Sequence, residues 1–236
     1  MAQHGPVALV GSGEYLPVML EVEAALIAGR PSRYVQLPTA AGGEGHASIS
    51  RWLALGAQQA ARLGAEAVPI MALDRDSAED QANAAQVAGA GLIYLSGGSP
   101  TRLAETLRGT RVWAAIVDEW RAGAALAGCS AGAMALTSWV PDLRRPGSEP
   151  HSGLDIVPTL RVLPHFDRLE RWAPTVADQA AAHRPPGVTL VGIDEETAIV
   201  SEDADLGRWV VRGRQRAWLL SPDGRTPLEA GQEFVL

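Results

Sequence analysis

The chain has 236 residues, of which 47% are hydrophobic and 20% charged, a globular balance with ample length to bury one core. Its formal charge is −7 and all 20 basic residues are arginine, which argues against non-specific binding to nucleic acid or anionic membrane and excludes a Schiff-base lysine, a P-loop lysine and a Ser-Lys dyad. Cys129 is the only cysteine, so an intrachain disulfide and a zinc cluster built on thiolates are excluded as well.

The opening segment enters a strand at once, without the pattern of a signal peptide, and no apolar run approaches the roughly 18 residues of a membrane span. The expectation is a cytoplasmic protein of one domain over residues 1–236. In chain order, Pro6–Gly11 reads as a first strand ending in GlySerGlyGlu, and Leu16–Gly29 as a helix capped by Gly29. Ser32–Leu37 is a second strand, Ala47–Leu63 a helix and Glu66–Leu73 a third strand. Glu79–Ala88 follows as a helix and Gly91–Leu95 as a fourth strand that runs into SerGlyGlySerPro. Two short helices, Pro100–Leu107 and Thr110–Arg121, lead to a fifth strand, Ala124–Ala127. Such alternation builds a mainly parallel sheet with helices on both faces, an α/β three-layer sandwich, and ligands bind beyond the carboxyl ends of its strands. The glycine turns at 11–13, 97–98 and 128–132 all follow strands, so all three are expected at that edge.

Residues 140–160 form a Pro/Gly/Ser-rich connection of the kind that more often serves as a functional loop than as a linker. Beyond it, Val188–Ile193, Ala198–Ser201, Trp209–Arg212, Gln215–Leu220 and Glu233–Leu236 read as strands, several of them in hairpins. They are expected to add antiparallel strands to the C-terminal end of the sheet.

Residues Ala125–Ala135 carry the chemistry: an apolar run, a Gly-x-Ser-x-Gly turn at 128–132, then small helix formers. This is what a strand–elbow–helix requires, with Ser130 projecting from the tip and the Ala131 N–H facing an oxyanion. As a pattern it is only moderately specific, since an ordinary β-to-α turn can look the same. A serine hydroxyl also needs a base oriented by a third group. Of the five histidines, His165 stands just beyond a short apolar strand, in ValLeuProHisPheAspArg, while His4, His46, His151 and His183 lie in exposed or polar contexts. For the acid, Val188–Ile193 runs directly into Asp194, Glu195 and Glu196, where side-chain alternation sends Glu195 opposite to its neighbours. Cys129, one residue before the tip, reads as a buried small hydrophobe.

GlyCysSerAlaGlyAla, TyrLeuSerGlyGly, the His-Phe pair at 165–166, GlyIleAspGluGluThrAla and the first GlySerGlyGlu turn together resemble the cyanophycinase and aspartyl dipeptidase family of serine peptidases. The resemblance covers most of the chain. It implies a fold similar to class I glutamine amidotransferases, with serine in place of their cysteine. It also implies Ser130 as nucleophile, His165 as base and Glu195 as orienting acid, with the N–H groups of Gly98 and Ala131 as oxyanion hole. Asp142 and Asp194 compete for the third place. Cyanophycinase-like sequences carry a Gln after the Gly-Gly pair and Asp-Gln before the His-Phe pair; Ser99–Pro100 and Leu163–Pro164 stand there in this chain. Much of the equipment for a β-Asp-Arg unit is therefore absent. Arg168, three residues after His165, is placed to bind a substrate carboxylate, with Ser99 as a further substrate contact; a surface arginine paired with an acid is the plain alternative.

The sequence thus points to a serine hydrolase, with no metal or cofactor, that cleaves an amide bond in a small peptide such as an Asp-containing dipeptide or isopeptide. An acyl-ester hydrolase on the same triad and a non-catalytic amidotransferase-like binding domain are the alternatives. A small peptide substrate is the expected partner, without nucleic acid or membrane; monomer and homodimer both stay open.

Overall fold

In the computed structural model, residues 4–141, 149–201 and 206–236 are described. Strands β1 (Val7–Val10), β2 (Arg33–Leu37), β3 (Glu66–Pro69), β4 (Leu92–Leu95) and β5 (Ala125–Cys129) alternate with α1 (Leu20–Ile27), α2 (His46–Arg62), α3 (Arg75–Glu79), α4 (Gln81–Ala85), α5 (Pro100–Leu107) and α6 (Arg111–Arg121). After β5 come α7 (Ala131–Ala135), the two-residue strands β6 (Trp139–Val140) and β7 (His151–Ser152), then β8 (Leu160–Leu163), α8 (Phe166–Trp172) and α9 (Pro174–Ala182). The chain closes with β9 (Thr189–Ile193), β10 (Thr197–Ser201), β11 (Arg208–Gly213), β12 (Arg216–Ser221), β13 (Gly224–Glu229) and β14 (Glu233–Val235). None of the described helices is long and apolar enough to cross a membrane.

Helix starts follow local side-chain chemistry. Ser99 accepts from the Arg102 N–H ahead of Pro100 in α5, and Thr110 accepts from the Trp113 N–H in α6, each satisfying an amide that lacks an intrahelical partner. Asp80 does the same for Ala82, with an extended ψ of 124°, so α4 starts two residues into the expected Glu79–Ala88 helix, and α3 is a separate short helix before it that the sequence reading does not contain.

The main sheet has the order β14-β11-β10-β1-β5-β4-β2-β3. Its β1, β5, β4, β2 and β3 are parallel, and β10, β11 and β14 extend it antiparallel. Strand residues divide between its two faces with a period of two. Val7, Leu9, Val35, Leu37, Ile93, Leu95 and Leu126 enter a core with α5 and α6. Ala8, Val10, Tyr34, Leu92, Tyr94, Ala125 and Ala127 face α1 and α2.

The C-terminal strands do not all join this sheet. Instead, β13-β12-β9-β8 form a second sheet, in which β8 and β9 run parallel and Leu163 lies beside Gly192. Phe166, Ala177 and Ala181 from α8 and α9 pack on it with Leu163, Leu190 and Leu220. The two sheets meet at the end of β1. The His165 N–H donates to Gly11 O at 3.3 Å and the Glu196 N–H to Ser12 O at 3.1 Å, while the Gly11 N–H donates to Thr197 O at 2.9 Å. The first two bonds set the segments that follow β8 and β9 against the end of β1, and the third continues the pairing of β1 with β10.

Candidate active site

Ser130 connects β5 to α7 with φ 49° and ψ −101°, a backbone conformation costly for a residue with a Cβ. Close packing holds it there: a Cβ added to Gly132 would come within 2.4 Å of Leu95 O, so only glycine lets α7 start this near β4. The Ser130 N–H donates to Val10 O at 2.8 Å, which fixes the elbow to β1.

Ser130 Oγ lies 3.0 Å from His165 Nε2, and His165 Nδ1 lies 2.8 Å from Glu195 Oε1. The carboxylate only accepts, so Nδ1 carries the proton and Nε2 is left as acceptor for the serine hydroxyl. His165 itself has φ 49° and precedes α8, with its side chain 41% exposed, whereas Glu195 is 17% exposed. The Glu195 N–H donates to Asp167 Oδ1 at 3.0 Å, and its carbonyl accepts from the Gln215 side-chain amide at 2.9 Å.

Asp194 is turned away. It accepts from Trp218 Nε1 at 3.0 Å and from the Arg216 N–H at 3.3 Å, and burial pushes its carboxyl up to about 6. Glu196, at φ 56°, pairs with Arg214 at 3.1 Å. The divergence of the three acids comes from a turn beyond β9 rather than from alternation along a strand. Asp142 lies outside the described residues.

Gly98 and Ala131 bring two backbone N–H groups to the same end of the sheet. Gly98 has φ 137°, a region open to glycine. Ala131 is the first residue of α7, so its N–H has no intrahelical acceptor.

A cleft of about 970 Å³ opens over Ser130 and is lined among others by Ser99, Arg102, His165, Arg168 and Trp172. Arg168 places a guanidinium nitrogen 2.7 Å from Glu195 Oε2, so its first partner is the acid that holds the histidine. Ser99 faces the cleft while its hydroxyl caps α5.

Two residues escaped the reading of the sequence. Arg102 lies against the Gly43 backbone, where an added Cβ would come within 2.9 Å of the guanidinium. Its only sequence signal is its place three residues into the segment after a glycine turn. Glu14, last in the first GlySerGlyGlu turn, accepts the Cys129 S–H at 2.8 Å and the Gly97 N–H at 2.9 Å. Burial, reinforced by this carboxylate, pushes the Cys129 thiol well above its usual range. Cys129 is therefore buried as expected, but as a hydrogen-bond donor rather than as a plain hydrophobe.

A hydroxyl bonded to an imidazole that a carboxylate holds from behind is an arrangement suited to acyl transfer. Comparison with known proteins gives the class, a serine-type peptidase. The model of peptidase family S51 matches residues 8–208, and the chain belongs to that family. The crystal structure of a peptidase from an acI-B1 Actinobacterium is similar over 100% of this chain and 98% of its own, at 38% identity and a TM-score of 0.90. A putative peptidase E protein from Listeria monocytogenes EGD-e shares the fold over 90% of this chain and 100% of its own, at 16% identity and a TM-score of 0.64. No curated protein matches the chain.

Proposed function

We propose that this single-domain, cytoplasmic peptidase cleaves an amide bond in a small Asp-containing dipeptide or isopeptide, with Ser130 as nucleophile, His165 as general base and Glu195 as the acid that orients it. The observation that carries the reading is the continuous relay of 3.0 Å and 2.8 Å from Ser130 Oγ through the imidazole to Glu195. Ser130 Oγ attacks the carbonyl carbon as its proton passes to Nε2, and the imidazolium gives that proton to the leaving amine. Water then cleaves the acyl-enzyme by the same path. The N–H groups of Gly98 and Ala131 receive the oxyanion, and each such donor contributes on the order of 3 kcal/mol to the transition state.

The substrate class is supported by charge. Arg102 and Arg168 both line a cleft in a chain of net charge −7, which favours a substrate that brings its own carboxylates. Arg168 holds Glu195 through one nitrogen and has the rest of its planar fork for a substrate carboxylate, with Ser99 beside it.

The test is hydrolysis of a library of α- and β-aspartyl dipeptides, their neutral counterparts and matched esters, by the native protein and by Ser130→Ala. Cleavage of the aspartyl amides in preference to neutral ones, abolished in the variant, is expected. Turnover surviving in Ser130→Ala contradicts the mechanism, and equal cleavage of neutral peptides contradicts the substrate class.

A further inference from the structure

We propose that Glu14 is a positioning residue for the oxyanion hole, a carboxylate that locks the Gly97–Gly98 turn and the serine elbow into one rigid unit. The inference rests on the reading of Ser130 as nucleophile and of the Gly98 and Ala131 amides as the hole.

Glu14 follows β1 and reaches the end of β5, its neighbour in the sheet, and that of β4, the next strand over. Its Oε1 accepts the Gly97 N–H after β4 at 2.9 Å, and its Oε2 accepts the Cys129 S–H at the end of β5 at 2.8 Å. Cys129 is the residue before Ser130, and Gly97 the residue before Gly98, so one side chain holds the approach to both halves of the site. The space is reserved for it: a Cβ on Gly97 would come within 2.7 Å of Glu14 Oε1.

The consequence for Gly98 is geometric. On one side the Gly97 N–H is tied to Glu14, and on the other the Ser99 N–H donates to Ala40 O at 2.9 Å. With both flanking amides tied and Gly98 packed on the Ala40 backbone, where an added Cβ would come within 2.6 Å, the turn that carries the Gly98 N–H is held in place before substrate arrives. A donor held in advance needs no reorganisation as charge develops on the carbonyl oxygen.

The residue type follows from the donors. An N–H and an S–H converge on the position, and an ionised carboxylate offers an acceptor to each. Glutamine keeps one oxygen for the Gly97 N–H and turns its NH₂ to a sulfur that accepts weakly. Alanine removes both acceptors and frees the turn.

The experiment is covalent labelling by a fluorophosphonate, in which Ser130 Oγ forms the bond to phosphorus, fluoride leaves and His165 takes the hydroxyl proton. The phosphoryl oxygen occupies the place of the oxyanion. A concentration series separates the maximal rate, kinact, from the binding constant, KI. Glu14→Ala should lower kinact by about 10- to 100-fold with KI unchanged, and Glu14→Gln should recover most of that loss. Gly97→Ala, which pushes the carboxylate aside, should lower kinact in the native background and add little in Glu14→Ala, because both changes break the same contact. Should Glu14→Ala fail to fold, Glu14→Gln and Gly97→Ala carry the same test.

Folded Glu14→Ala with a native kinact overturns the proposal, as do losses from Glu14→Ala and Gly97→Ala that simply multiply. The two readings fail separately. Labelling that persists in Ser130→Ala removes the nucleophile assignment and Glu14's role with it. A silent Ser130→Ala beside a fully reactive Glu14→Ala removes only the role of Glu14.

Discussion

Glu195 sits between two hydrogen-bond donors with one oxygen for each: Oε1 on His165 Nδ1 at 2.8 Å and Oε2 on Arg168 at 2.7 Å. That arrangement makes Glu195→Gln informative. Arg168 only donates, so it draws the single amide oxygen to itself and leaves the NH₂ facing Nδ1. The imidazole then adopts the other tautomer and presents Nε2–H to Ser130, where it cannot act as base. Steady-state assays should show kcat lower by about 10³- to 10⁴-fold, while Asp194→Asn and Glu196→Gln cost less than about tenfold. Adding Arg168→Ala to Glu195→Gln should restore part of the loss, since the amide oxygen is then free to turn to Nδ1. A Glu195→Gln enzyme of native kcat contradicts the orienting role. At this scale the elbow is legible in the residues, because Gly-x-Ser-x-Gly states a local backbone requirement. The contacts of Arg168 and Glu14 are not, because each depends on strand ends that meet only in three dimensions.

At the scale of elements, α1 carries a group that the apolar pattern of its helix conceals. Glu23 is buried against β2, where the Tyr34 hydroxyl donates to Oε2 at 2.9 Å. Burial outweighs that bond and pushes the carboxyl up from 4.5 to about 7. The sign follows directly: between those values the unfolded chain has released this proton and the folded protein retains it, so stability falls as pH rises and is lowest above about 7. Glu23→Gln should remove most of this slope and exceed the native protein in stability at pH 8 by roughly 1–3 kcal/mol, measured by urea unfolding at several pH values. The slope that remains below about pH 6 belongs to Asp194, raised by burial in the same direction. An unchanged slope in Glu23→Gln contradicts the assignment. The sequence shows α1 as a helix but not this charge, because periodicity marks which face is apolar and says nothing about which glutamate is drawn under it. The start of α4 is hidden for a related reason: Asp80 suits a helix surface as well as a cap until its ψ is known.

Across the whole molecule, strand–helix alternation through residue 135 reveals the parallel sheet, since a helical crossover brings the next strand back in the same direction as the last. The C-terminal strands are visible as strands, yet their pairing is not. A period of two identifies a strand without naming its neighbour, and β9 passes over β10 and β11 to pair with β12. That choice creates the second sheet and delivers His165 and Glu195 from it to a serine carried by the first. The central claim is that the two sheets meet to make Ser130, and not Cys129, the reactive group. Its most direct test is fluorophosphonate labelling followed by tandem mass spectrometry of the labelled peptide. The account predicts one adduct on Ser130, absent from Ser130→Ala and still formed in Cys129→Ala; an adduct on Cys129, or one that persists in Ser130→Ala, would contradict it.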